Sequence, residues 1–308
     1  MSKNHRSLLI RFGAAALIVG GIALWMKPLA GLAVYASGRA NGCSLGATVE
    51  SLQVFDRQEK QAAEFKAASR LVKVDEAAGV ELWQTPGGEV WTPVADEAGE
   101  LFYDMAEQER GIYSSGGHGV KPGDVVLDCG ANVGLYARKA LAEGASKVVA
   151  IEPVPVNVEC LRRNLAKEIA AGKVVVAEKG VWDKEDWLEM SISKTNWAKH
   201  SFVRVDPGKD SKLRLPLTTI DRLAAELGLG KVDYIKMDIE GAERNALAGA
   251  QAVLRRDHPR MALCVYHLSD DPAVIPQRAR AAWAGYRIFS GACEPGGGGV
   301  HEQVQYFE

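Results

Sequence analysis

The sequence predicts an α/β protein with a doubly wound, mostly parallel sheet and a C-terminal antiparallel hairpin edge, preceded by an N-terminal membrane helix and a helix/β-hairpin accessory segment. Three observations predict it. Short, wholly apolar, β-branched runs at 125–127, 148–151 and 174–176 alternate with helical segments, as strands buried on both faces do. A glycine-rich turn, Asp128-Cys129-Gly130-Ala131-Asn132-Val133-Gly134, follows the first of these strands and opens the next helix. Basic residues followed by an apolar run occupy the N-terminus. Together these describe a Rossmann-like domain behind a membrane segment.

The elements follow in chain order. Lys3, Arg6 and Arg11 precede an apolar run over 12–26, closed by Lys27-Pro28 and followed by a second apolar stretch over 29–36. Counted from Leu8, with Arg11 snorkelling, the run reaches the roughly 20 residues that span a bilayer, so residues 8–26 are expected to be a single-pass anchor. A cleaved signal peptide ending at Val34-Tyr35-Ala36 is the alternative. The basic residues favour a cytoplasmic N-terminus, which places the rest of the chain outside.

Residues 50–72 are charged and Ala-rich with loosely helical apolar spacing and predict a connector helix. Two alternating runs at 80–83 and 89–91 flank Pro86-Gly87-Gly88 and predict a β-hairpin carrying Trp83 and Trp91. A helix is predicted over 100–110 and a loop over 111–119. The pattern then continues with a strand at 232–235, an Ala-rich helix at 242–254, a strand at 261–265, and a final pair at 286–289 and 303–307. The divisions are 1–36 membrane segment, 37–110 accessory region and 111–308 main domain.

Among 308 residues the net charge is −2, with no basic stripe, which argues against nucleic acid as a partner. Cys43, Cys129, Cys160, Cys264 and Cys293 are scattered, odd in number and without a C-x-x-C pair. They fit a reducing compartment better than a disulfide framework.

The glycine turn carries the chemistry. In a doubly wound sheet, ligands bind beyond the carboxyl ends of the strands, and a glycine-rich first turn lets the backbone approach closely. Glu152 ends the second strand, 22 positions after Gly130, where an acid can accept hydrogen bonds from both ribose hydroxyls. The spacing is not the G-x-G-x-x-G of a pyrophosphate turn, and Asp128 would repel a pyrophosphate. The same carboxylate favours a ligand carrying an ammonium and a sulfonium.

A second constellation is Lys236-Met237-Asp238-Ile239-Glu240-Gly241-Ala242-Glu243. Strand periodicity puts Lys236, Asp238 and Glu240 on one face if the strand runs that far. Lys236 needs a partner, either Asp128 or Asp238. Glu243 belongs in the first turn of the next helix, where the dipole favours it. His267 ends the strand after that and is expected to face the same crevice. His200-Ser201, in the polar stretch 195–202 between two short strands, reads as a substrate loop.

These residues resemble the FkbM family of methyltransferases. The resemblance runs from about Gly111 to His267 and rests on GDVVLDCGANVGLY, VVAIEPVPVN, LPLTTIDRL and DYIKMDIEGAE in this order. It implies S-adenosylmethionine as methyl donor, with Asp128, Gly130, Asn132 and Gly134 along its amino-acid end and Glu152 on its ribose. It also implies transfer to oxygen, on a small-molecule or glycan acceptor.

Methyl transfer from a sulfonium needs alignment and removal of the acceptor proton, and the candidate bases are Asp238, Glu240 and His267, in that order. Paired carboxylates at Asp238 and Glu240 also suit magnesium, though a plain acid/base site needs the same pair, and no metal is assigned. Two rivals remain: an NAD-dependent dehydrogenase, against which the glycine spacing counts, and a non-catalytic membrane-linked nucleoside-binding module, which Asp238-x-Glu240 weakens.

Overall fold

The computed structural model describes residues 27–94, 99–192, 200–203 and 211–308. The chain divides into two compact units, one reaching Arg57 and including Ala292–Glu302, the other Gln58–Gly291 with Gln303–Glu308. The accessory segment 37–110 is shared between them.

The expected anchor, residues 8–26, lies outside the described residues. Among the described residues, no helix is long and apolar enough to cross a membrane. The chain is helical over 27–36, then forms β1 (Ala40–Asn41) and helix α1 (Leu45–Ala67). α1 starts and stops earlier than the predicted connector, because residues beyond 69 are taken into a strand, β2 (Arg70–Asp75). β2 pairs antiparallel with β3 (Val80–Thr85), which pairs with β4 (Gly88–Pro93). The predicted hairpin is therefore two strands of a three-stranded sheet, a more stable unit than an isolated hairpin.

Helix α2 (Gly99–Arg110) buries Leu101, Phe102 and Ala106. The edge of Trp83 meets Phe102 with ring centres 5.5 Å apart, and the Arg163 guanidinium lies 4.4 Å over Trp91. Both tryptophans are packing residues.

The main domain opens with β5 (Val125–Cys129), α3 (Leu135–Ala142), β6 (Lys147–Ile151), α4 (Pro155–Asn164), α5 (Ala166–Ala170) and β7 (Val174–Ala177). An excursion follows, in which β8 (Gly180–Val181), β9 (Asp186–Ile192) and β10 (Ser211–Thr218) form a sheet of their own. The chain returns through α6 (Ile220–Glu226), β11 (Tyr234–Met237), α7 (Glu243–Ala248), α8 (Gln251–Asp257), β12 (Arg260–Cys264), α9 (Asp271–Ala282) and β13 (Ile288–Ser290).

Two expectations are corrected here. The strand read at 232–235 lies two residues later, since Asp233 instead bonds its carboxylate to the Val125 amide. The long helix read over 242–254 is broken into α7 and α8. At the break a Cβ on Gly249 would sit 2.0 Å from the Trp182 carbonyl oxygen, and the Gly249 carbonyl accepts from the Asp221 amide.

The seven-stranded sheet has the order β13-β16-β12-β11-β5-β6-β7, with β16 (Val304–Phe307) antiparallel to both its neighbours and the other pairs parallel. The antiparallel edge is thus present, but its two strands are not joined as a simple hairpin. Between them the chain makes β14 (Cys293–Gly296) and β15 (Gly299–Glu302), which join β1 in the smaller unit. There Cys43 and Cys293 form a disulfide across a sequence separation of 250. This corrects the cysteine reading: an odd count conceals a pair contributed by opposite ends of the chain. Cys129, Cys160 and Cys264 are free and buried.

The core of the larger unit is filled by Leu127, Val149, Ile235 and Leu263 from the sheet against Leu247, Leu254 and Ile275 from α7, α8 and α9. From β5 the chain moves outward through β6 and β7, then resumes on the other side of β5 with β11. The direction of winding reverses between β5 and β11, and a crevice opens at their carboxyl ends.

Candidate active site

The turn after β5 is shaped by backbone constraints. Gly130 has φ of 79°, and a Cβ there would lie 1.9 Å from the Asp238 carbonyl oxygen, so only glycine lets the ends of β5 and β11 meet. Its amide and that of Ala131 both donate to the Ile151 carbonyl at 3.0 Å. Asn132 holds φ of 51° and donates its amide to Glu152 Oε2 at 3.0 Å. Gly134, at φ of 90°, opens α3 against Leu161 of α4 and Leu165 just beyond it. Asn164 ties the turn to β4 by donating its amide group to the Val133 and Trp91 carbonyls, both at 2.8 Å.

Glu152 lines the crevice and is buried. Its Oε1 accepts from the Val154 amide at 3.0 Å, so each carboxylate oxygen holds one backbone donor, and the Asn157 side chain adds a further hydrogen bond. Burial pushes its carboxyl up to about 7, partly offset by those two amides.

Asp128 stands behind the crevice rather than along it. Its side chain is fully buried, 3.3 Å from Lys236 Nζ, which also donates to the Gly130 carbonyl at 2.9 Å. Burial opposes the Lys236 charge, but Asp128 and Asp238 hold its ammonium above the ordinary value. Asp128 therefore acts through Lys236, which locks the glycine turn.

β11 ends at Met237, and Glu240 and Gly241 turn with φ of 55° and 97°. The alternation expected to carry Lys236, Asp238 and Glu240 along one strand face is thus replaced by a turn. Asp238 and Glu240 still line the crevice. Tyr113 donates its hydroxyl to Asp238 Oδ2 at 2.8 Å, and Ser201 donates to the Glu240 carbonyl at 2.7 Å. Burial would raise the Asp238 carboxyl, but Lys236, His267 and Tyr113 override it and hold it below the usual carboxylate value.

His267 lies beyond β12 with its imidazole fully buried. Its Nδ1 is 3.0 Å from Glu243 Oε1, and its Nε2 is 3.4 Å from Asp238 and 3.8 Å from Glu240. Burial disfavours its charge, yet Glu243 first and then Asp238 and Glu240 lift its pKa to about 9. At neutral pH it is an imidazolium bridging carboxylates, not a free base.

Asp238, Glu243 and His267 offer ligand atoms within 4.8 Å of one another. Both imidazole nitrogens face carboxylates, and of the expected Asp238/Glu240 pair only Asp238 belongs to this cluster.

The sequence-predicted residues thus separate: Gly130, Asn132, Glu152, Asp238 and Glu240 line the crevice, whereas Asp128, Gly134 and His267 support it from behind. The crevice encloses about 940 Å³ with its open mouth. His200 and Phe202 also line it; residues 195–199 of the expected substrate loop lie outside the described residues.

With this geometry the chain was compared with known proteins. The Methyltransferase FkbM domain matches residues 128–282, half of the chain. The chain belongs to the FkbM methyltransferase family. It is similar to 31-O-demethyl-FK506 methyltransferase FkbM of Streptomyces tacrolimicus, 26% identical over 62% of this chain and 82% of that one. It is also similar to 2-O-methyltransferase NoeI of Sinorhizobium fredii, 27% identical over 44% of this chain and 61% of that one. Among solved structures, Methyltransferase FkbM from Methylobacillus flagellatus is similar at 17% identity and a TM-score of 0.45, over 84% of this chain and 59% of that chain.

Three residues of this methyltransferase escaped the sequence reading: Asp104, Glu107 and Tyr113 line the crevice. Glu243 was placed at its helix start, but its pairing with His267 was not foreseen. Asp104 and Glu107 had a signal: they lie opposite Leu101, Phe102 and Ala106 on α2, so one face of that helix is buried and the other is acidic.

Proposed function

We propose that the crevice binds S-adenosylmethionine and that the enzyme transfers its methyl group to a hydroxyl oxygen of a small-molecule or glycan acceptor. The observation that carries this is Glu152, buried at the end of β6, lining the crevice and braced by the Asn132 and Val154 amides and the Asn157 side chain as an acceptor for ribose hydroxyls. The glycine turn fits the donor's amino-acid end, since at Gly130 a Cβ would close the gap. The acidic lining complements a ligand bearing ammonium and sulfonium charges. The names of the two curated relatives support oxygen as the acceptor atom.

When bound, the donor supplies an electrophilic methyl carbon. The protein's part is alignment of the acceptor oxygen and management of its proton. Asp238, kept ionised by Lys236, His267 and Tyr113, orients the acceptor hydroxyl by accepting its hydrogen bond.

Calorimetry tests the donor. The wild-type protein is expected to bind S-adenosylmethionine, and Glu152→Ala to weaken binding more than roughly tenfold, as charge-assisted hydrogen bonds are worth about 1.5–3 kcal/mol. Heat with NAD and none with S-adenosylmethionine would overturn the reading. Incubation with labelled donor and extracts, followed by mass spectrometry, identifies the acceptor.

Residues 8–26 are proposed to attach the enzyme to a membrane. Leu29, Leu32 and Tyr35, exposed on the helix over 27–36, support this by continuing the apolar character of the preceding run. The basic N-terminus and the Cys43–Cys293 disulfide both favour the catalytic unit lying outside the cytoplasm, whereas the donor is expected inside. Protease protection in sealed vesicles decides the side. A mature protein beginning near Ser37 would replace the anchor with a cleaved signal.

A further inference from the structure

We propose that Asp104, on helix α2 outside the doubly wound sheet, takes up the proton of the acceptor hydroxyl during methyl transfer. The inference rests on the reading of the crevice as a methyl-transfer site and adds to it a base from a separate element.

The placement comes from the helix. Leu101, Phe102 and Ala106 bury one face of α2, where Leu101 and Phe102 join a cluster with Val80, Val90, Val133 and Cys160. That cluster includes Val133 of the donor turn, so α2 is packed directly on the element that shapes the donor site. Asp104, Glu107 and Gln108, three and four residues apart, form the face that lines the crevice together with Asp238. The acceptor side of the crevice thus has carboxylates from two elements, Asp104 and Glu107 from α2 and Asp238 and Glu240 from the turn after β11.

Their environments differ. Asp238 is surrounded by Lys236, His267 and Tyr113, which favour its charge and weaken it as a base. Asp104 is held well above the usual carboxylate range, by burial first and then by Glu100 and Glu107 on its own helix and Asp238 across the crevice; Lys236 alone opposes. A pair of acids whose surroundings push them apart divides the work: the ionised one orients, the more basic one accepts a proton. In the step, the acceptor oxygen bonds to the methyl carbon and the carbon–sulfur bond breaks with its electron pair returning to sulfur. The O–H proton passes to the Asp104 carboxylate and leaves through the crevice mouth.

The test uses the full chain with S-adenosylmethionine and the acceptor found by mass spectrometry. Asp104→Asn is expected to lower kcat by about 10²–10⁴-fold, to leave the donor Kd unchanged by calorimetry, and to remove the limb on which kcat rises with pH. Asp104→Glu is expected to restore part of kcat and the limb. Infrared titration of the donor-free protein supplies a readout independent of turnover: the wild-type minus Asp104→Asn difference spectrum shows a protonated-carboxyl band persisting above the usual carboxylate range, in addition to the Glu152 signal common to both proteins. Full kcat or a retained limb in Asp104→Asn would overturn the proposal. Loss of donor binding in both Asp104 variants would also overturn it, by making the residue part of the donor pocket. Failure of the wild type to bind the donor would instead overturn the underlying reading, with the infrared band still reporting on Asp104.

Discussion

The two ends of the crevice are built by different means. The end proposed to hold the donor is made of backbone: the Gly130 and Ala131 amides donate to the Ile151 carbonyl, and a single carboxylate, Glu152, caps the turn through main-chain amides. The acceptor end is made of charge: Asp238, Glu243, His267 and Lys236 hold one another, with Tyr113 and Asp104 added from before the sheet. A backbone site depends on geometry that no other residue can reproduce. A charge network depends on every partner remaining ionised. The two ends should therefore fail differently when mutated and respond differently to pH.

The largest effect is expected at Gly130. A methyl group there would meet a carbonyl oxygen 1.9 Å away on a residue already at positive φ, so the turn must move. Gly130→Ala should abolish donor binding by calorimetry and cost about 4 kcal/mol or more in denaturant unfolding, the upper range for one substitution. Near-normal donor affinity in that variant would show that the donor end is not backbone-defined.

His267→Ala should come next, at about 3–5 kcal/mol, because it leaves the fully buried Glu243 without its cation. Since the folded pKa of about 9 lies above the ordinary 6.5, this stabilisation is full below 6.5 and is lost as pH rises through about 9. The gap between wild type and variant, read from unfolding midpoints, should close over that window. A gap constant with pH would mean that the histidine contributes packing alone.

The same contrast explains what the sequence disclosed. The glycine turn is contiguous, from Asp128 to Gly134 with Glu152 one helix later, and the parallel strands announce themselves as apolar runs, so the place of Gly130, Asn132 and Glu152 in the crevice lining was legible. The acceptor end is assembled from residues 104, 113, 238, 243 and 267, which only the fold brings together. His267 was singled out because it follows a strand, but its imidazolium state depends on Glu243, which the sequence reading assigned to a helix dipole. The Cys43–Cys293 bond was hidden for the same reason, its partners lying near opposite ends of the chain. The break between α7 and α8 was hidden because a close approach of Gly249 to Trp182 leaves no periodic signature.

At the donor end, Glu152 supplies a smaller and opposite pH response. Its carboxyl sits at about 7 through burial, so ionisation is completed only as pH rises through that value. The ionised form accepts both ribose hydroxyls with charge assistance, so donor affinity should rise roughly tenfold across this range. The unliganded fold shows the reverse sign: a folded pKa above the ordinary 4.5 means that stability falls as pH rises from 4.5 through about 7. Glu152→Gln should flatten both curves, by calorimetry and by unfolding. A pH-dependent affinity surviving in Glu152→Gln would move the titrating group to the acceptor end.

The smallest expected effect gives the sharpest test of separation. Tyr113 touches Asp238 through one hydrogen bond of 2.8 Å, and burial pushes its hydroxyl above the ordinary phenol value, so it remains a donor at every working pH. Tyr113→Phe removes that bond and keeps the ring, whose edge contact with Tyr136 at 5.3 Å preserves the local packing. A hydrogen bond to a charged group is worth about 1.5–3 kcal/mol, but Asp238 retains Lys236 and His267, so kcat should fall by only about three- to tenfold. Donor affinity should stay within roughly twofold, because Glu152 and the glycine turn are untouched, and the bond removed lies in the other half of the crevice. If Tyr113→Phe instead weakens donor binding as much as Glu152→Ala does, the charge network reaches the donor through Lys236 and the Gly130 carbonyl, and the two ends work as one site.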